Sequence, residues 1–448
     1  MNLSPDFEKR MQVLLGEEFA LFRAALEKTA PVSIRANNKI EYHPSTDQVP
    51  WCEDGFYLNE RPVFTVDPYF HAGIYYVQEA SSMFLHQCQK QFFPQVETVL
   101  DLCAAPGGKT TLVSQYLNEN ALLISNEINR SRAYILAENV AKWGNANVVV
   151  TNNQPSDFIN LPGFFDVVLV DAPCSGEGMF RKNPVSIDEW SLANVENCVV
   201  RQRKIISEVW DTLKTDGILV YSTCTYNREE NEENIGWICE ELGAEILRMD
   251  IHNFHGIQET EGGYRFFPHK IKGEGFFISV LRKTSPTPQK NGKIKRIEKK
   301  SEEKIKTDIG IKLFEPEKWN ILVENNRVRA ISKAKLKEIS IIENNLKCLL
   351  SGIYLGEFKN YDYIPSAQAA LSKEIDLNAI DTLEIDYATA VRYLKKENIQ
   401  IASDKKGFLL LLYKGVSLGW VKNMGQRCNN LYPQEWRIRM KIEELLEI

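Results

Sequence analysis

Paired cysteines are missing from this 448-residue chain: its nine cysteines stand singly, the count is odd, and no Cys-x-x-Cys occurs. That argues against a disulfide framework and a zinc site, and for a reducing compartment. Long apolar runs are missing too, none reaching the roughly 18 residues of a membrane span. The opening Met1-Asn2-Leu3-Ser4-Pro5-Asp6 has neither the basic start nor the apolar core of a secretion signal. The expectation is a cytoplasmic protein with no membrane partner. Positive charge is scarce: 54 Lys and Arg face 60 Asp and Glu, a net charge of −6. Any surface for a polyanion must therefore be local and not spread over the whole chain. With 44% hydrophobic residues, the chain can bury a full core and divide into two or three domains.

Two nucleotide fingerprints are absent where they would be expected. The apolar run Glu97 to Leu102 reads as a buried parallel strand, followed by Cys103-Ala104-Ala105-Pro106-Gly107-Gly108-Lys109 and a helical segment from Thr110. Strand, glycine turn and helix make a cofactor cradle, with close backbone and free amide N–H groups at the helix start. A phosphate-binding P-loop requires glycine where Cys103 stands, and no Gly-x-Gly-x-x-Gly lies between Asp101 and Thr111. The remaining candidate is S-adenosylmethionine, a cationic sulfonium with a ribose and no phosphate. Glu127, after the next strand, is where an acid for the ribose hydroxyls should stand. An acid at such a strand end is also a common helix cap.

The chain around the cradle alternates regularly. Strands read at 97–103, 121–126, 147–152, 165–171 and 217–223, with helices at about 110–118, 130–143 and 196–214. A further helix spans 228–242, and 244–249 and 275–281 read as closing strands. The fold class is α/β, a doubly wound Rossmann-like domain with an open parallel sheet covered on both faces. Ahead of it, a helix over residues 4–28, a strand over 31–37 and an aromatic segment over 51–76 form a small α+β module. Its aromatics suit a core better than base stacking.

In such folds ligands sit beyond the carboxyl ends of the strands. Two strand ends finish there with a cysteine: Asp171-Ala172-Pro173-Cys174 and Ser222-Thr223-Cys224. Lone cysteines are ordinarily small buried hydrophobes, and Cys52, Cys88, Cys198, Cys239, Cys348 and Cys428 are read so. A pair at adjacent strand tips suits another chemistry. Carbon 5 of a pyrimidine is a poor nucleophile until a thiolate adds to carbon 6. An acid near N3, such as Asp171, can stabilise the charge, and a second sulfur could assist release. The base must be flipped out or single-stranded. Both cysteines end a strand alike, which leaves the attacking one open; a Pro-Cys analogy with DNA cytosine-5 enzymes favours Cys174.

These stretches, together with Ser33-Ile34-Arg35-Ala36-Asn37, Tyr76 to Met83, Tyr264 to His269 and Gly275-Phe276-Phe277, resemble the NOP2/Sun family of RNA cytosine-5 methyltransferases. Within it the likeness is to the bacterial RsmF-like branch acting on ribosomal RNA, and it covers roughly residues 1–283. The resemblance implies a SAM-dependent RNA cytosine-5 methyltransferase with Cys224 as nucleophile, Cys174 assisting release and Asp171 contacting substrate and cofactor. Cys103 to Lys109 would line the cofactor site and Glu127 would hold the ribose. The family usually has an aspartate near the adenine; here Asn152-Asn153-Gln154-Pro155-Ser156 offers Gln154.

Residues 284–310 turn polar and basic, reading as a flexible linker. Beyond it, 407–413 and 416–421 bracket Lys414-Gly415 as a hairpin, and Lys422, Arg427, Arg437, Arg439 and Lys441 interleave with Tyr432 and Trp436. The region resembles the PUA-like RNA-binding extension of RsmF-like enzymes. The expected division is an N-terminal RNA-binding-type module (1–80), a catalytic domain (81–283), the linker (284–310) and a PUA-like α+β/β domain (311–448). The expected partner is small-subunit (16S) rRNA, bound by a monomer. Three alternatives differ by substrate or class: a tRNA cytosine-5 enzyme, a DNA cytosine-5 enzyme, and a non-catalytic ribosome-assembly factor.

Overall fold

The computed structural model describes residues 1–288, 309–360 and 362–441. Strands β1 (Val32–Ala36), β2 (Gly55–Leu58) and β3 (Tyr75–Val77) form an antiparallel sheet in the order β2-β1-β3. The helical spacing before it resolves into two helices, Pro5–Leu15 and Phe19–Leu26, separated by a tight turn at Gly16–Glu18. Their apolar faces meet the residues that flank the two strand-end cysteines. Phe7 packs edge-on against Phe180 with centroids 5.1 Å apart, and Phe22 against Tyr226 at the same separation.

The central sheet has ten strands. It is built from β4 (Thr98–Asp101), β5 (Leu122–Asn126), β6 (Val148–Thr151), β7 (Phe165–Asp171), β8 (Leu213–Thr223), β9 (Ala244–Leu247), β10 (Gln258–Glu259), β11 (Tyr264–Phe266) and β12 (Phe276–Lys283), joined by one later strand. The order runs β10-β11-β12-β8-β7-β4-β5-β6, with β9 also on β12; β8-β7-β4-β5-β6 are parallel and β12 closes antiparallel on β8. The chain leaves β4 towards β5 and β6, then returns to β7 and β8 on the other side. The switch point is therefore the carboxyl end of β4 beside β7, where open α/β sheets bind ligands. Val99, Leu100, Val167, Val168 and Leu169 are buried, as strands covered on both faces require.

Beyond residue 308 lie β13 (Trp319–Glu324), β14 (Arg327–Ser332), β15 (Cys348–Ser351), β16 (Ile353–Lys359) and β17 (Asp362–Pro365). Four of them make the sheet β13-β14-β16-β17, whereas β15 leaves it and pairs antiparallel with β6, Leu350 opposite Val150, as the tenth strand of the central sheet. The chain ends in a sheet ordered β18 (Thr382–Glu384), β19 (Gly407–Tyr413), β20 (Val416–Asn423) and β21 (Cys428–Asn430). Its hairpin turns at Lys414-Gly415, both with positive φ (48° and 77°), as a tight two-residue turn needs.

Several boundaries differ from the expected ones. The helix expected at 196–214 is Leu192–Val209, and β8 begins early, passing Asp216 (φ 62°) and a register shift against β7. The helix expected from 228 starts at Glu232, because Asn227 caps the backbone N–H of Glu230 (2.9 Å) and the preceding polar residues are committed elsewhere. At the start of the expected linker, Thr284 N donates to Gly243 O (2.9 Å) and Thr287 Oγ1 to Leu213 O (2.8 Å), fastening it to the central domain. Residues 289–308 of that expected linker lie outside the described residues. Among the described residues no helix is long and apolar enough to cross a membrane.

Candidate active site

The turn after β4 is held by both neighbouring strands: Leu102 N donates to Leu169 O (3.0 Å) and Ala104 N to Asn126 O (2.8 Å). Gly107 stands at φ 114°, a conformation only glycine adopts freely, and opens the helix Gly108–Tyr116. Ala104 and Ala105 are buried with the turn, and Asn139 Nδ2 donates to Pro106 O (2.8 Å). Cys103 is a half-buried thiol whose ionisation burial pushes far above the ordinary range, with Asp101, Asp171 and Glu127 adding like charge.

Three carboxylates gather round this turn. Asp101 is buried at the end of β4; Thr110 Oγ1 donates to its Oδ2 (2.6 Å), and Oδ1 has no partner among the described residues. Burial, helped by the charges of Asp171 and Glu127, pushes its pKa up to about 7. Glu127, at the end of β5, accepts from Asn129 N (2.8 Å) and faces Arg132 Nη1 at 3.5 Å; it is buried and also shapes the turn into the next helix. Asp171, at the end of β7, accepts from Ser222 Oγ (2.8 Å) and pairs with Lys109 Nζ (2.8 Å). Burial opposes the charge on Lys109, but the Asp171 carboxylate, with a smaller share from Cys224, holds its ammonium above the ordinary value. A P-loop lysine reaches phosphates; this one is committed to a carboxylate and lies over Phe276, 5.2 Å from the ring centroid. The donor set thus suits a cationic ligand with hydroxyls, and S-adenosylmethionine fits it.

The two strand-end cysteines meet. Cys174 Sγ lies 3.3 Å from Cys224 Sγ, and their loops are stitched by Gly178 N donating to Cys224 O (2.8 Å) and by a 2.8 Å contact between the Ser175 and Thr225 hydroxyls. A side chain at Gly178 would stand 2.5 Å from Gly275 O, so glycine is required by close approach. The contact with Cys224 raises the Cys174 thiol well above its ordinary pKa, and burial and the charge of Glu230 add to it. Cys52, Cys88 and Cys198 are buried, and Cys239, Cys348 and Cys428 half-buried.

The structure brings Cys103 to Lys109, Glu127, Asp171, Cys174 and Cys224 to one edge of the sheet. Gln154 lies on the exposed loop after β6, beyond β5; its backbone N–H donates to Asp157 Oδ2 (2.8 Å). Tyr432 is not free to stack on a base: it is fully buried, 3.2 Å from His71 Nδ1. Sequence reasoning missed the pairing of Lys109 with Asp171, and missed Glu177, Asn227 and Glu230, whose side chains join the cysteine loops. The signal available for the last three was a polar residue within a few positions of each cysteine.

Fold, glycine turn and converging carboxylates together define a Rossmann-like, S-adenosylmethionine-dependent methyltransferase. Comparison with known families agrees: the model described as 16S rRNA methyltransferase RsmB/F matches residues 93–282, the N-terminal domain of 16S rRNA methyltransferase RsmF matches 3–80, and the methyltransferase RsmF PUA domain matches 381–438. The chain belongs to this RsmF-type branch of the NOP2/Sun methyltransferases. It is 32% identical to ribosomal RNA small subunit methyltransferase F of Shewanella loihica, over 87% of this chain and 83% of that protein. It is 30% identical to the protein of the same name from Enterobacter sp. (strain 638), over 93% and 92%. Among solved structures, a methyltransferase homolog from Pyrococcus horikoshii superposes with a TM-score of 0.54 and 28% identity, covering 62% of this chain and 95% of that one. NSun6 of the same organism shares the fold, with TM-score 0.54 and 22% identity over 63% of this chain and 98% of that one.

Proposed function

We propose that the chain methylates carbon 5 of a cytosine in small-subunit (16S) rRNA, through a transient bond between Cys224 Sγ and carbon 6 of the base. The observation that carries the reading is the 3.3 Å approach of Cys174 and Cys224 beside the cradle. S-adenosylmethionine would supply an electrophilic methyl group there; Cys103 to Lys109 and Glu127 would hold it, and Gln154 is the residue proposed for its adenine.

The family resemblance gives attack to Cys224 and release to Cys174, whose sulfur contact and burial raise its thiol pKa above the ordinary value. Cys224 as a thiolate adds its electron pair to C6, and the C5=C6 pair becomes available at C5. Asp171, oriented by Ser222 and Lys109, faces the cleft where N3 of the base would develop charge. After C5 has gained its methyl, loss of the C5 proton to a base re-forms C5=C6 as the C6–S bond breaks, and the Cys174 S–H can hydrogen-bond the departing sulfur.

The substrate assignment follows the names of the relatives and the PUA match over 381–438. The test is transfer of labelled methyl groups to 16S rRNA and small subunits, with bisulfite mapping of the product. Cys224→Ser should abolish transfer, and Cys174→Ala should accumulate a covalent RNA–protein adduct. Full activity in Cys224→Ser would refute the mechanism, and preference for tRNA or DNA in direct competition would refute the substrate.

A further inference from the structure

We infer that Glu177 and Glu230 are positioning residues for the two cysteines, each carboxylate belonging to one cysteine loop and gripping the other. The inference rests on the roles proposed above for Cys224 and Cys174. Glu177 follows Cys174 in the chain, yet its Oε2 accepts the backbone N–H groups of Tyr226 (2.7 Å) and Asn227 (3.0 Å), just past Cys224. Glu230 follows Cys224, yet its Oε2 accepts the backbone N–H of Ser175, beside Cys174, at 3.0 Å. The Asn227 amide bridges the crossed grips, its Nδ2 lying 2.7 Å from Glu230 Oε1 and 3.2 Å from Glu177 Oε1. Trp190 Nε1 donates to Glu177 (2.9 Å) and Gln202 Nε2 to Glu230 (2.7 Å).

Both carboxylates are buried, 1% and 0% exposed, and all these hydrogen-bond partners are neutral donors. A buried charge is a costly way to stabilise a fold, and well-packed apolar groups commonly do as well or better. A carboxylate is an acceptor at both oxygens, whereas an amide of the same shape turns an NH₂ on one set of donors. What the carboxylates accomplish is geometric: they fix the backbone just past each cysteine, and so the relative position of Cys174 and Cys224. The charge of Glu230 also favours the protonated form of Cys174.

The test uses the full chain, labelled S-adenosylmethionine and 16S rRNA. Glu230→Gln should lower kcat at least tenfold while KM for RNA and Kd for S-adenosylmethionine stay within twofold. Alkylation of Cys174 by iodoacetamide, followed by mass spectrometry, should shift to lower pH. Glu177→Asp, which stays acceptor-only but is shorter, should lower kcat with cofactor affinity intact. The inference is overturned if Glu230→Gln and Glu177→Asp keep kcat within threefold, or if cofactor affinity collapses in step with kcat. An active Cys224→Ser enzyme sinks the chemical reading instead; a dead Cys224→Ser beside a fully active Glu230→Gln sinks only this one.

Discussion

Lys109 Nζ stands 2.8 Å from Asp171 Oδ2, joining the helix that opens the cofactor turn to the strand that leads into Cys174. One ion pair therefore spans the switch point of the sheet. Lys109→Met leaves Asp171 without its cation. Breaking a buried charge pair costs about 3–5 kcal/mol; with Asp171 side chain 36% exposed, about 2 kcal/mol is expected, read by urea unfolding. Single-turnover methyl transfer should fall roughly 100-fold, the scale of losing one preorganised electrostatic group.

Asp101 makes stability depend on pH. Its pKa is raised from 3.8 to about 7 in the folded chain, so the native state holds a proton that the unfolded state releases. Its contribution is fully present below about pH 4 and is lost as pH rises towards 7, a change of the order of 4 kcal/mol. Thermal melts of wild type and Asp101→Asn between pH 4 and 8 test this. The variant should gain relative to wild type as pH rises, and a constant difference would contradict it.

Tyr432 and the basic residues near it should separate cleanly. Tyr432→Phe removes a buried hydroxyl beside His71 and should cost about 1 kcal/mol of stability with KM for RNA unchanged. Replacing the exposed Arg439 and Lys441 by Ala should leave stability alone and weaken RNA binding. The salt dependence of binding should become shallower, by about one unit of slope for each phosphate that is no longer neutralised.

Gln154 is exposed on the loop after β6. If it holds the adenine amino group, Gln154→Ala should raise Kd for S-adenosylmethionine about fivefold, roughly one neutral hydrogen bond. Titration calorimetry of the wild type and the variant measures the difference, and equal affinities would remove Gln154 from the cofactor site.

The parallel sheet was legible because β4 to β7 and the latter half of β8 are short apolar runs with turn residues between them, and the cradle because its glycines and Lys109 are contiguous. The strand-end cysteines could be named, since sheet topology carries β7 and β8 to one edge. Hydrogen bonds between distant segments were not legible. Glu177 looks like any loop carboxylate until the fold sets it beside Tyr226 and Asn227, and Tyr432 looks like a stacking platform until His71 covers it. The late start of the helix at Glu232 has the same origin: local polarity reads as helix, while Asn227, Glu230 and Asn231 spend their side chains on the cysteine loops.

Strand β15 reaches the central sheet from far downstream in the chain, pairing Leu350 with Val150. During synthesis the edge of β6 must therefore wait, its peptide groups unpaired, until residues 348–351 have left the ribosome. Fragments that stop after the family's catalytic segment at residue 282 would carry that bare edge permanently, a template for sticking to other chains. Expression trials that trim the protein to its catalytic segment should yield aggregates, and solubility should return only when the downstream strand is restored.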